Sequence, residues 1–163
     1  MQGVPNSVTI DQPAPDFSVI NQNNEQKSLA DYQGNYLLLY FYPRDLTPGC
    51  TTEACNFRDY KAELKELGLT VVGVSCDDAA KHQKFIAKHD LNFELLADTE
   101  QTMVQDYGVW VEKNMYGKKY MGIQRDSFLI APDGKVLKHY VKVKPKTHVD
   151  DVINDLKEIK ANG

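Results

Sequence analysis

The chain has 163 residues, 42% of them hydrophobic and 26% charged, the balance of a folded globular protein rather than a disordered one. That length suits one compact domain able to bury a core without disulfide or metal staples. Nineteen Lys and Arg against 23 Asp and Glu leave a net charge of -4, which disfavours nucleic acid and anionic membrane surfaces as partners.

The N-terminal MQGVPNSVTIDQ has neither a basic start nor an apolar h-region, so no secretory signal is visible and the cytoplasm is the expected compartment. Residues 1–14 read as an extended, loose lead-in shaped by Pro13 and Pro15, followed by a single domain over 15–163. PDFSVINQNNEQKSL (15–29) predicts two short strands around an Asn-rich turn. YLLLYFY (36–42) is a continuous apolar run, the pattern of a strand covered on both faces and too short to cross a bilayer. After PRDLTPG a helix is predicted over about 50–67, with Phe57, Tyr60, Leu64 and Leu67 as its stripe and Gly68 as its stop. LTVVGVS (69–75) predicts a second buried strand, DAAKHQKFIAKH (78–89) an amphipathic helix, and FELLA (93–97) a strand. Asp98 and Gln101 suggest a capping box for a helix ending at Gly108. SFLIA (127–131) and KVLKHYVKV (135–143) flank the turn Pro132-Asp133-Gly134. Thr147 and Asp150 open a final helix striped by Val149, Val152, Ile153, Leu156 and Ile159. Strand–helix alternation, then a hairpin and a terminal helix, implies a mixed central sheet with helices on both faces, compatible with a thioredoxin-like α/β architecture.

Three cysteines are too few and too odd in number for an extracellular disulfide framework. Cys50 follows a strand, a short loop and Thr47-Pro48-Gly49, with Thr47 placed as N-cap and Pro48 at the first helical position. The free N–H groups and positive dipole end of that first turn would therefore face its sulfur. An ordinary thiol with a pKa of about 8.5 is only about 3% thiolate at pH 7, and helix N-termini and cations raise that fraction. Cys50 thus stands where a reactive cysteine is expected, with donors that would also bind an incoming oxygen.

Cys55 lies five residues on, about 7.5 Å along a helix and 140° around it, so the two Cα atoms would be roughly 8.7 Å apart. A disulfide needs about 7 Å or less. The pair can bond only if the first turns unwind. Cys50 would share the packed face with Phe57, whereas Cys55 would lie with Arg58, Asp59, Ala62 and Glu66 on a more polar side. Zinc would call for a second short-spaced ligand pair, and His82 and His89 stand roughly 10.5 Å apart along a helix, too far for one ion.

YFYPRDLTPGCTTEACNFRD (40–59) closely resembles the active-site segment of the peroxiredoxins, and a second cysteine at +5 resembles the bacterioferritin comigratory protein/peroxiredoxin Q subfamily. DYGVWVEKNMYGKKYMGIQRDSFLIAPDGKV (106–136) is similar to that subfamily's second signature. The resemblance runs from about Pro15 to the last helix. It implies a thioredoxin-like fold and a thiol peroxidase that reduces hydrogen peroxide and organic hydroperoxides, with antioxidant defence as its role. By motif position Cys50 would be the peroxidatic cysteine, Pro43 would shield the pocket, Thr47 would hydrogen-bond the peroxide and Arg125 would be the cationic partner. Cys50 sulfenic acid would condense with Cys55 as resolving thiol in the same chain. Thioredoxin or a related dithiol would then reduce the disulfide, with no metal, haem or flavin required. A monomer is the subfamily expectation.

Glu53 matches the subfamily and is expected to orient Arg125, while Thr47, Arg125 and backbone N–H groups are expected as donors to the departing oxygen. Cys76 departs from the pattern and reads either as a small buried hydrophobe at a strand end or as a competing resolving thiol. Trp110, Tyr116 and the methionines read as packing residues, and the four histidines as surface or core-edge residues. Two rival readings fit a thioredoxin-like fold with cysteines. A thioredoxin-type dithiol oxidoreductase would use Cys-X-X-Cys, and a non-catalytic thioredoxin-fold binding module would not consume peroxide.

Overall fold

The computed structural model describes residues 8–162, so the first seven residues of the expected lead-in lie outside the described residues. β1 (Ser18–Asn21) and β2 (Gln26–Ser28) pair antiparallel around a turn where Asn21 Oδ1 accepts from the Asn23 and Glu25 amides. A 3-10 turn over Leu29–Tyr32 leads to β3 (Tyr36–Phe41), α1 (Pro48–Asp59), α2 (Lys61–Glu66) and β4 (Leu69–Ser75). Then follow α3 (Ala79–His89), β5 (Glu94–Ala97), α4 (Thr102–Asp106), β6 (Trp110–Met115) and β7 (Lys118–Ile123). β8 (Ser127–Ile130), β9 (Val136–Tyr140) and α5 (His148–Asn162) complete the chain.

Seven strands form one mixed sheet in the order β2-β1-β5-β4-β3-β8-β9, parallel only at β3–β4 and β4–β5. β3 lies inside the sheet between β4 and β8, and its alternation separates two cores. Leu37, Leu39 and Phe41 point to the face covered by α4 and the 3-10 turn. Leu38 and Tyr40 point to the face covered by α1, α3 and α5. Both faces are dry, which is why the run at 36–42 carries no polar side-chain alternation. Residues 11–14 run beside β9, with hydrogen bonds from the Asp11 amide to the Val136 carbonyl (2.8 Å) and from the Ala14 amide to the Gly134 carbonyl (2.9 Å).

The single helix expected over 50–67 is two helices. α1 stops at Asp59 and Tyr60 leaves helical geometry at φ -95°, ψ 11°. The Asn92 side-chain amide donates to the Arg58 carbonyl (3.3 Å), occupying an acceptor that a continuing helix would use. Tyr60, expected in the buried stripe, is consequently exposed, and Ala62 and Glu66 belong to α2 rather than to the cysteine helix. The Asp98–Gln101 capping box also does not form. Gln101 is left-handed (φ 61°), and the Asp98 carboxylate reaches past it to the Val104 amide (2.9 Å). A hairpin not anticipated from the sequence, β6–β7, stands as a separate two-stranded sheet turning at Tyr116-Gly117, both with positive φ.

Gly73 in β4 packs so closely that a Cβ there would lie 2.7 Å from Leu95 Cδ2 and 2.9 Å from Tyr40 Cζ. Tyr40 in turn stacks on Phe57 of α1, with ring centroids 4.8 Å apart. Gly73→Ala should therefore destabilise the fold by about 1–3 kcal/mol, measured by urea unfolding. Wild-type stability would show that the two side chains can retreat freely.

Candidate active site

The loop after β3 delivers the first functional side chains. Leu46 takes a left-handed conformation (φ 66°), Thr47 returns to extended backbone as N-cap, and Pro48 opens α1. Cys50 falls in the first turn, as the capping pattern requires, and is 1% exposed. The Thr47 hydroxyl does not cap the helix. It donates to the Arg44 carbonyl (3.0 Å), so its proton is committed and its lone pairs are what it offers to a ligand. The expectation of Thr47 as a donor is corrected accordingly.

Arg125, in the link between β7 and β8, reaches the same point from across the sheet. Its Nη2 donates to Cys50 Sγ (3.3 Å) and its Nη1 to Glu53 Oε1 (2.8 Å). Gly49 makes this approach feasible, since a Cβ there would stand 3.3 Å from Nη2. The backbone behind the arginine is tied down: the Val143 amide donates to the Arg125 carbonyl, and the buried Asp126 carboxylate takes the Lys142 amide and His139 Nε2. Burial opposes the Arg125 charge, but Cys50 and Glu53 more than offset it and raise its pKa. Glu53 is 1% exposed, with Oε2 lacking a hydrogen-bond partner. Burial pushes its carboxyl up to about 7 despite the pull of Arg125. The Tyr40 hydroxyl, also buried without a partner, is held protonated by burial and by Glu53 and Cys50.

A second cluster anchors the loop itself. Asp45, 1% exposed, accepts from the Tyr42 hydroxyl (2.5 Å) and pairs with His82 Nδ1 (2.6 Å), while its amide donates to Asp77 (2.7 Å). His82 Nε2 lies 2.8 Å from the Leu96 carbonyl, which only accepts, so that nitrogen carries a proton. The expectation of surface or core-edge histidines is corrected for His82 and His148, which are fully buried, His148 bonding Ser127 Oγ (2.8 Å). Nothing in the sequence marks these burials, because helical spacing on α3 and α5 places a histidine inward without saying what receives it.

The AhpC/TSA family model matches residues 10–139. Peroxiredoxin Bcp of Bacillus subtilis is 46% identical over 153 residues, covering 94% of this chain and 98% of that protein. Its Escherichia coli K12 counterpart is 47% identical over 145 residues, covering 89% and 93%. The chain belongs to the AhpC/TSA family. Among solved structures, a peroxiredoxin Q of Xylella fastidiosa superposes with a TM-score of 0.89 at 32% identity, covering 94% of this chain and 98% of that one. The bacterioferritin comigratory protein of Xanthomonas campestris, whose structures concern alkyl peroxide reduction, gives 0.84 at 35% identity, covering 94% and 98%. The chain is thus a peroxiredoxin, a thiol peroxidase with a thioredoxin-like mixed sheet.

In this peroxiredoxin all three cysteines are free thiols. Cys50 and Cys55 both lie inside α1, so the intact helix keeps their Cα atoms roughly 8.7 Å apart. Cys76, one residue beyond β4, is half-buried against the core, and burial together with Asp98 and Asp77 pushes its thiol up to about 12. It borders a cleft of about 530 Å³ between the loop residues Pro43 and Thr47 and the β6–β7 hairpin. Cys50 is not part of the cleft wall, but Thr47, three residues before it, is. Trp110 packs on the core as expected. Tyr116 does not: it sits at the hairpin tip, 99% exposed, and Met115 and Met121 are also exposed.

Glu53 makes stability pH-dependent. A carboxyl moved from 4.5 to about 7 on folding contributes stability that is present below about 4.5 and lost as pH rises through about 7. The loss is on the order of 3 kcal/mol. Glu53→Gln keeps the shape and an acceptor for Arg125, so its unfolding free energy should be flatter across that window. Denaturant titrations at several pH values check this, and an unaltered slope would rule it out.

Proposed function

We propose that this peroxiredoxin reduces hydrogen peroxide and organic hydroperoxides through Cys50, and that Cys55 resolves the oxidised sulfur within the same chain. The single observation that carries the reading is the 3.3 Å hydrogen bond from Arg125 Nη2 to Cys50 Sγ at the first turn of α1. A thiolate formed there would be paired by a cation that it cannot deprotonate. In the first step the thiolate attacks the outer oxygen of the hydroperoxide. The S–O bond forms, the O–O bond breaks, and the departing oxygen leaves with the electron pair and takes up a proton. Arg125 and the free amides of the first turn are donors to the charge that develops, while Thr47 accepts from the hydroperoxide O–H. Pro43 lies beside Thr47 on the cleft and limits water at the sulfur.

The second step needs movement. Cys55 attacks the Cys50 sulfenic acid, releasing water and forming the disulfide, which requires the turns between them to unwind. The segment has firm ends: Asp45 is held by His82 and Tyr42, and Phe57 stacks on Tyr40. Unwinding between those anchors brings the sulfurs together without disturbing the sheet. Cys76 is a poor competitor, because a thiol pushed up to about 12 is almost wholly protonated at neutral pH. A dithiol protein of the thioredoxin type then exchanges with the bond and restores both thiols.

Cys50→Ser should abolish thioredoxin-coupled peroxide consumption, and Cys55→Ser should retain the first oxidation but stall recycling. Peptide mass mapping after one equivalent of peroxide should link Cys50 to Cys55, and a link from Cys50 to Cys76 would transfer the resolving role. Arg125→Ala should lower the second-order rate with peroxide by about tenfold or more, read by stopped flow. An unchanged rate would remove Arg125 from the reaction.

A further inference from the structure

The cleft beside Thr47 has a second cation that the reaction above does not use. Lys113, on β6, is the charged side chain that the β6–β7 hairpin contributes to that wall, where its hairpin neighbours are Trp110, Met115, Tyr120 and Met121. Its stem lies over Gly122 of β7, so that a Cβ there would stand 3.2 Å from Lys113 Cδ and 3.5 Å from Cε. The missing side chain at 122 is what allows the lysine to lie across the hairpin. Lys113 is half-buried and its ammonium makes no hydrogen bond or ion pair with the described residues, although it lies within the electrostatic reach of Arg125 and Cys50. Arg44 and Asp77 are the other charged groups on the cleft, and Cys76 and Tyr120 its other titratable ones. Lys113 and Arg125 repel each other and Cys50 offsets that repulsion, an arrangement that becomes more favourable when further negative charge appears near both cations.

That charge appears on the oxygen that leaves when the O–O bond breaks, and the donors already described cannot neutralise it by giving up a proton. Arg125 does not deprotonate, and the Thr47 proton is bonded to the Arg44 carbonyl. We propose that Lys113 is a catalytic residue, its ammonium giving a proton to the leaving oxygen as Cys50 attacks. The inference rests on Cys50 being the nucleophile. The balance is Cys50–S⁻ + ROOH + Lys113–NH₃⁺ → Cys50–SOH + ROH + Lys113–NH₂, and water in the open cleft returns the proton to the amine. Alkoxide and hydroxide are much stronger bases than an amine, so the transfer runs downhill. Burial and Arg125 lower the Lys113 pKa, with Cys50 opposing them, which makes the ammonium a readier donor.

The test compares two oxidants in single-turnover oxidation of Cys50. tert-Butyl hydroperoxide expels an alkoxide that needs a proton, whereas peracetic acid expels acetate, which needs none. Lys113→Met should slow the hydroperoxide by at least about tenfold and leave the peracid within about threefold of wild type. Lys113→Arg keeps the charge but not the transferable proton, and should show the same selective loss; if the methionine variant fails to fold, this variant carries the contrast. Equal slowing of both oxidants, no slowing of either, or full rescue by arginine would each overturn the proposal. Failure of the Cys50 reading is distinguishable, because Cys50→Ser would then consume both oxidants as fast as wild type.

Discussion

One guanidinium holds the site together. Arg125 divides its hydrogen bonds between the Cys50 sulfur and the Glu53 carboxylate, and neither acceptor is at ease without it. Glu53 is buried with half of its carboxylate unsatisfied, so its charge persists only beside a cation. Arg125 meets both groups because its backbone is locked by Asp126 and Val143 and because Gly49 leaves room. The energetic tension in the triad is carried by Glu53, whose ionisation burial resists, while the arginine remains a cation throughout.

The same helix that presents Cys50 keeps Cys55 away from it. Five residues of α-helix separate the cysteines by more than a disulfide can span, so in the proposed cycle peroxide reduction and disulfide formation demand different conformations of one segment. Helix α1 is fixed at both ends, and between them Arg125 holds Cys50 and Glu53, so unwinding must release those two contacts. Asp45 is bound into a buried polar cluster on one side, and Phe57 lies among aromatic rings on the other. The helix start has no side-chain cap, so opening it breaks backbone bonds and the Arg125 contact to Cys50 but no capping bond.

Much of this organisation is legible in residue order. The run at 36–42 reveals a strand buried on both faces, and the period of two in β3 sorts its side chains into the two cores seen in the fold. Thr47-Pro48 marks the start of α1 because an N-cap and a proline at the first helical position have few other uses. Local pattern fails where a distant side chain intervenes. Asn92 ends α1 by taking a carbonyl that periodicity assigns to a continuing helix, and Asp98 reaches past Gln101 to the Val104 amide. Tyr116 fails for the opposite reason: an aromatic ring suggests packing, but the turn it occupies projects it into solvent.

By itself the sequence determined the fold class, the placement of Cys50 in the first turn of a helix and the distance that separates it from Cys55, because these follow from short-range periodicity, capping and helix geometry. Tertiary structure alone decided the rest. Seventy-five positions separate Arg125 from Cys50 and 37 separate His82 from Asp45, and such contacts exist only once the sheet has ordered its strands. Burial likewise belongs to the assembled fold: whether Glu53 resists ionisation or Lys113 lies against the cleft depends on which surfaces close over them, and no local pattern records that.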